Sequence, residues 1–198
     1  METDAEADLA GNCWIPALVP FEGDGASLLA PASWKRDRLI DNRSMNWEQI
    51  CADPNLRDLP FKIETNQRGQ IVMSPARSRH GEYQSEIVIL FRQLLPQGRS
   101  MVECPVQTSA GVRVPDVAWA SPERRQPVIY HLAPEICVEV LSPYNDIAEM
   151  DEERALYFEA GAVEAWICAE NGVMSFYAPS GKLTASAFCP SFPARVDI

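Results

Sequence analysis

In the stretch Pro134-Glu135-Ile136-Cys137-Val138-Glu139-Val140-Leu141-Ser142-Pro143, the run from Ile136 to Leu141 is apolar except for a single acid, Glu139. A short continuous apolar run of this kind predicts a strand buried on both faces, which in turn needs helices to cover the sheet it belongs to. Downstream, Asp146 and Glu149 form a capping box that opens a helix, and Gly161 stops it because glycine readily takes positive φ. Ala165 to Ala169 reads as the next strand. Asn171-Gly172 turns it into Val173 to Tyr177, and Ser180-Gly181 leads to one more short strand near Leu183 to Phe188.

Upstream, Asn46 followed three residues later by Gln49 caps a short helix that ends before Asp53-Pro54. Phe61 to Thr65 and Gln70 to Met73 flank Asn66-Gln67-Arg68-Gly69 as a hairpin. From Ser78 to Leu95, Tyr83, Ile87, Leu90, Phe91 and Leu94 recur at three- and four-residue steps, the mark of an amphipathic helix, and Pro96 with Gly98 closes it. Met101 to Thr108 and Val112 to Ala120 read as strands joined by Ser109-Ala110-Gly111. Helix, strands, helix, strands, with no internal repeat, predicts a mixed α/β fold with a central mixed sheet flanked by helices. Residues 1 to 44 hold no persistent period and are expected to be a disordered extension or a misassigned start. The domain then runs from 45 to 198, with Met45 as a plausible true start.

At 198 residues the chain suits one hydrophobic core. Lys and Arg number 17 against 28 Asp and Glu, a formal charge of -11, which counts against avid phosphate binding except through local patches. Six cysteines are scattered with no CxxC pair, and only His80 and His131 could join them, so no zinc cluster is expected. Cys137 and Cys168 sit in apolar runs and read as small hydrophobes. The acidic N-terminus shows no secretory signal and no membrane span, so a reducing cytoplasm is the expected setting. There is no GxSxG serine and no glycine-rich phosphate loop.

The sharpest anomaly is a pair of acids in apolar strands: Asp116 within Val112-Arg113-Val114-Pro115-Asp116-Val117-Ala118-Trp119, and Glu139 within Val138 to Leu141. A carboxylate buried without a partner costs several kcal/mol, so such acids face a cation, a donor cluster or a metal. Neighbouring strand ends can bring two of them to one hard ion. Each could instead pair separately with an arginine, or Pro115-Asp116 could open a turn.

Val114-Pro115-Asp116-Val117, then Pro134 to Pro143, then Tyr157 and Gly161 followed by Glu164-Ala165-Trp166-Ile167, resemble the "putative restriction endonuclease" family of the PD-(D/E)XK nuclease superfamily over about three-quarters of the chain. The resemblance implies a restriction-endonuclease-like mixed sheet carrying Mg2+, with Mn2+ as the alternative, held by Asp116, Glu139 and the backbone carbonyl of Val140. DNA is the implied substrate; a homodimer is an arrangement open to a non-cutting binding module of the same fold. Glu86 on the long helix is the candidate for a third acid, against its reading as a solvated flank.

The chain departs from the pattern at the lysine. The superfamily motif expects one two residues after the acid, where Leu141 stands, and the family resemblance expects it four residues before Tyr157, where Glu153 stands. The lysines are Lys35, Lys62 and Lys182, none of them in this helix. Arg154 is the expected electrostatic substitute, since it shares a helix face with Met150, Tyr157 and Phe158. It would steady a phosphate without shuttling a proton. The alternatives are a module that uses the same fold to hold nucleic acid or a protein without cutting, and a purely structural set of buried ion pairs. His80 reads as a cap or surface residue, Trp119 and Trp166 as core aromatics, and Arg124-Arg125 as an exposed basic pair.

Overall fold

The computed structural model describes residues 46–56, 59–142 and 147–198, all within one compact unit. The amino-terminal extension, Met45 and the Asp146 cap lie outside the described residues.

Helix α1 (Trp47–Ala52) starts at Asn46, whose side chain accepts from Gln49 N–H while the Gln49 side chain accepts from Asn46 N–H, the full capping box. The predicted hairpin is β1 (Phe61–Thr65) and β2 (Ile71–Pro75), paired antiparallel as a sheet of its own. Helix α2 (Ser78–Leu94) follows the expected period and buries Tyr83, Ile87 and Phe91.

The central sheet has six strands in the order β10-β9-β8-β7-β6-β3. One of its two central strands, β7 (Ile136–Val140), is buried at every position, as the opening run requires. It pairs antiparallel with β6 (Val117–Ala120) and parallel with β8 (Glu164–Cys168). A parallel neighbour needs a crossover, and α3 (Ile147–Glu159) supplies it. Gly161 then takes φ +99, the left-handed conformation its position called for.

Two expectations need correction. The long strands Met101 to Thr108 and Val112 to Ala120 are each broken in two: β3 (Arg99–Val102) pairs with β6 in the main sheet, while β4 (Val106–Thr108) and β5 (Gly111–Arg113) form a separate two-stranded sheet. Pro105 and Pro115 fall at the breaks, where they have no N–H to give to a ladder. Strand β10 (Gly181–Leu183), paired to β9 (Met174–Ala178), also ends five residues before Phe188. The N–H groups of Ala187 and Phe188 donate instead to buried Glu164, at 2.8 and 2.7 Å, so this segment wraps a carboxylate rather than a strand edge.

The main core lies between α2 and the sheet and includes Phe91, Trp119, Val138, Trp166, Phe176 and Phe192. Trp119 and Trp166 are core aromatics, as expected. Cys137 and Cys168 are buried free thiols. No helix among the described residues is long and apolar enough to cross a membrane.

Candidate active site

In the β6–β7 ladder Val117 is opposite Val138. Continuing that antiparallel register by one residue sets Asp116 opposite Glu139, and residues directly opposite share a sheet face. Both acids are buried, at 3% and 7% exposure, and both line a cleft of about 450 Å³.

The cation between them comes from β1. Lys62 Nζ is 2.9 Å from Asp116 Oδ1, 3.7 Å from Glu139 Oε2 and 3.9 Å from Glu64 Oε1. Its place follows from the docking of the hairpin. In a strand, residues two apart share a face, so Lys62 projects with Glu64. Glu64 Oε1 accepts the Val114 N–H at 2.7 Å, Thr65 Oγ1 accepts the Val112 N–H at 2.8 Å, and Arg113 donates to the Thr65 carbonyl at 3.1 Å. Gly111, at φ +102, allows the approach: a Cβ there would sit 2.4 Å from the Thr65 carbonyl oxygen.

Asp116 is fully engaged. His80, in the first turn of α2, sets Nε2 3.0 Å from Oδ2, and the Val140 N–H donates to the same oxygen at 2.8 Å. Burial pushes this carboxyl up, but the His80 hydrogen bond, the Lys62 ammonium and the Val140 N–H together outweigh it and hold Asp116 below the usual carboxylate range. Glu139 goes the other way. Burial, with the carboxylates of Asp116, Glu153 and Glu64 behind it, raises its pKa well above the ordinary value against the pull of Lys62. Of the two acids, Glu139 therefore holds a proton longer. Its Oε1 accepts from Tyr157 Oη at 2.5 Å. Burial alone would lower the Lys62 pKa, yet Glu139, Asp116 and Glu64 hold it above its usual range, so this ammonium keeps its proton.

Tyr157 also orients α3. One turn earlier on the same helical line stands Glu153, which lines the cleft; burial and the Glu64 carboxylate push its pKa up to about 7. Arg154 is rotated by one residue, about 100° around the helix, and leaves the cleft. Its guanidinium stacks 3.6 Å above the Tyr177 ring and pairs with Asp151. The expectation that Arg154 replaces the lysine is thereby corrected, and so is the alternative that it bridges Asp116 or Glu139. Glu86 is half-buried on α2 and is not among the residues of the cleft. His80 is a partner of Asp116 rather than a simple cap. Arg124 donates to the Ala133 and Gly161 carbonyls and pairs with Glu135, a structural role.

Residue Glu103 also lines the cleft, at φ +49, a conformation that non-glycine residues take at a cost; its N–H donates to the Asp116 carbonyl at 3.2 Å. Lys62 is the residue that sequence reasoning missed. It lies 54 positions from Asp116, and the one local signal was the placing of two charged residues, Lys62 and Glu64, on a single face of a strand.

Residues 48–192 match the model of the Uma2 family, described as "Putative restriction endonuclease". The chain belongs to this family. As a Uma2 protein it also shares its fold with the crystal structure of "a putative nuclease belonging to DUF820" from Anabaena variabilis, at a TM-score of 0.58 and 17% identity, over 67% of this chain and 86% of that one. Among curated proteins no sequence match reaches significance. The Uma2 match spans both acids, Lys62 and Glu153.

Do these residues suit a divalent ion? Among the described residues no group of three or more His, Cys, Asp or Glu side chains is arranged to hold a metal. Magnesium asks for less, because it usually keeps several waters and takes one or two carboxylates from the protein. Asp116 and Glu139 offer that oxygen set, already converging on one positive charge. The donor chemistry fits a hard cation.

Proposed function

We propose that this Uma2 protein is a Mg2+-dependent endonuclease that hydrolyses DNA phosphodiesters, with Mn2+ as the alternative ion. The observation that carries this reading is the convergence of two buried carboxylates, Asp116 and Glu139, from neighbouring strands on one cation in an open cleft. The ligands would be Asp116, Glu139 and the Val140 carbonyl, whose own N–H orients Asp116. The ion, when bound, supplies Lewis acidity and an activated water. His80 and the Val140 N–H hold Asp116 ionised and ready to coordinate, and the Tyr157 hydroxyl fixes the rotamer of Glu139.

In the reaction, a water oxygen forms a bond to phosphorus as one P–O ester bond breaks, and the proton lost by water ends on the leaving oxygen. Six carboxylates line the cleft (Glu64, Glu103, Asp116, Glu139, Glu149 and Glu153) against Lys62 and Arg77, with His80 beside them. A phosphodiester would be repelled from so acidic a surface unless a divalent cation came with it. The acidic composition that argued against nucleic acid thus supports a metal requirement. Buried free thiols at Cys104, Cys137 and Cys168 favour a reducing, cytoplasmic setting.

The test is nicking of supercoiled plasmid by the purified chain in Mg2+ or Mn2+, beside Asp116→Ala, with ion binding followed by calorimetry. Parental nicking lost with Asp116→Ala is expected, together with loss of ion binding. A parent that binds DNA or ion without cutting would leave the chain as a non-cutting module. A parent that does neither defeats the reading.

A further inference from the structure

We propose that Lys62, delivered to the cleft by β1, is a catalytic residue that contacts the scissile phosphate. The proposal rests on the metal-dependent reading above and assigns a residue that reading does not use.

Three observations carry it. First, Lys62 is a positioned side chain: it is 17% exposed, and its strand is locked by the Glu64–Val114 and Thr65–Val112 hydrogen bonds and by the close approach at Gly111. Fixing a lysine costs side-chain entropy that an incidental surface residue does not lose. Second, among the described residues it is the lysine of the cleft, because Lys182 lies instead over Tyr177, 5.7 Å from the ring centre. Third, the helix position that the family resemblance assigns to lysine carries Glu153, in the same cleft. In this cleft the lysine stands on β1 and an acid on α3.

Chemically, the ammonium that now neutralises Asp116 and Glu139 stands where a divalent ion would compete with it. With the charge of the carboxylates balanced otherwise, the three N–H donors of Lys62 turn to the non-bridging phosphoryl oxygens. Charge builds there during attack, and a fixed donor in a partly buried site stabilises it most. The role assigned to Lys62 is that of a charged hydrogen-bond donor to the phosphate and not that of a base.

The test uses the full chain with Lys62→Met, Lys62→Arg, Lys62→Glu and the exchange pair Lys62→Glu/Glu153→Lys, read by plasmid nicking and by Mn2+ calorimetry. Lys62→Met is expected to lose about a hundredfold or more in nicking rate, the scale of one removed transition-state donor, while binding Mn2+ at least as tightly as the parent because the competing ammonium is gone. The exchange pair is expected to cut at least about tenfold faster than Lys62→Glu alone, the sign of a charge that works from either position.

A purely structural lysine predicts neither the preserved ion binding nor the rescue. If Lys62→Met does not fold, Lys62→Arg keeps the charge and is expected to fold and to cut about tenfold slower, because a planar guanidinium does not reproduce a compact ammonium. Parental cutting by Lys62→Met or Lys62→Arg, beside an inert Asp116→Ala, overturns the proposal and leaves the metal reading standing. Weakened Mn2+ binding in folded Lys62→Met also overturns it. A parent that neither binds Mn2+ nor nicks defeats the metal reading, and the proposal with it.

Discussion

Replacing Glu153 by glutamine should make the protein more stable at alkaline pH and leave it nearly unchanged in acid. Glu153 is half-buried on the cleft side of α3, and burial with the Glu64 carboxylate moves its pKa from 4.5 to about 7 despite Lys62 and Arg113. An acid with a raised folded pKa binds a proton in the folded state that the unfolded chain has already lost. Stability therefore falls as pH rises from about 4.5 to about 7, and above that the folded state carries the whole penalty. At about 1.4 kcal/mol per pH unit this interval is worth at most about 3 kcal/mol, and roughly 2 kcal/mol after allowing for partial solvent screening. Glutamine keeps the shape and removes the ionisation. In EDTA, urea unfolding followed by circular dichroism should give Glu153→Gln an advantage of roughly 2 kcal/mol at pH 8, shrinking below about 0.5 kcal/mol at pH 4.5. Thermal midpoints at pH 8 should differ by roughly 4–8 °C for a chain of this size. Glu139 also has a raised pKa, so both proteins keep some pH dependence and only their difference reports on Glu153. A difference constant across the pH range, or a glutamine variant less stable at pH 8, would refute the reasoning.

Glu164, 1% exposed, accepts from Trp166, Ser186, Ala187 and Phe188; Glu164→Ala strands those buried donors and should cost about 3 kcal/mol or more in urea unfolding, with a loss under about 1 kcal/mol counting against its structural role. Tyr157→Phe removes the hydroxyl that donates to Glu139 and should cost about 1–3 kcal/mol while leaving the far-ultraviolet spectrum intact; an unchanged midpoint would mean that this hydrogen bond contributes nothing. Gly111→Ala must accept a left-handed conformation and a Cβ 2.4 Å from the Thr65 carbonyl oxygen, so it should destabilise by about 2 kcal/mol. Amide exchange in β1 should rise with it, and a hairpin as protected as in the parent would show that the approach at Gly111 is not what holds Lys62.

Much of the fold was legible because its signals are local. The capping box at Asn46 and Gln49, the three-and-four spacing from Tyr83 to Phe91, the all-apolar run at β7 and the turn glycine at 161 each act within a few residues, and each appears where the pattern put it. Strand ends were less legible: prolines at 105 and 115 and the demands of Glu164 redirected segments whose own composition favoured extended chain. The two acids stood out for the same local reason, since a carboxylate in an apolar strand needs a partner.

Which partner they have could not be read from their neighbours. Arg154 was near in sequence and on a plausible helix face, but its azimuth is set by Tyr157 docking on Glu139, which turns Glu153 inward and leaves Arg154 on Tyr177. Lys62 arrives from 54 positions away because a hairpin is pinned by Glu64, Thr65 and Gly111. The sequence by itself determined the elements, the core and the need of Asp116 and Glu139 for a positive charge, because propensity and burial are properties of short segments. Only the tertiary structure decided that the charge is Lys62, because Coulomb and hydrogen-bond energies depend on distances in space that no spacing along the chain encodes.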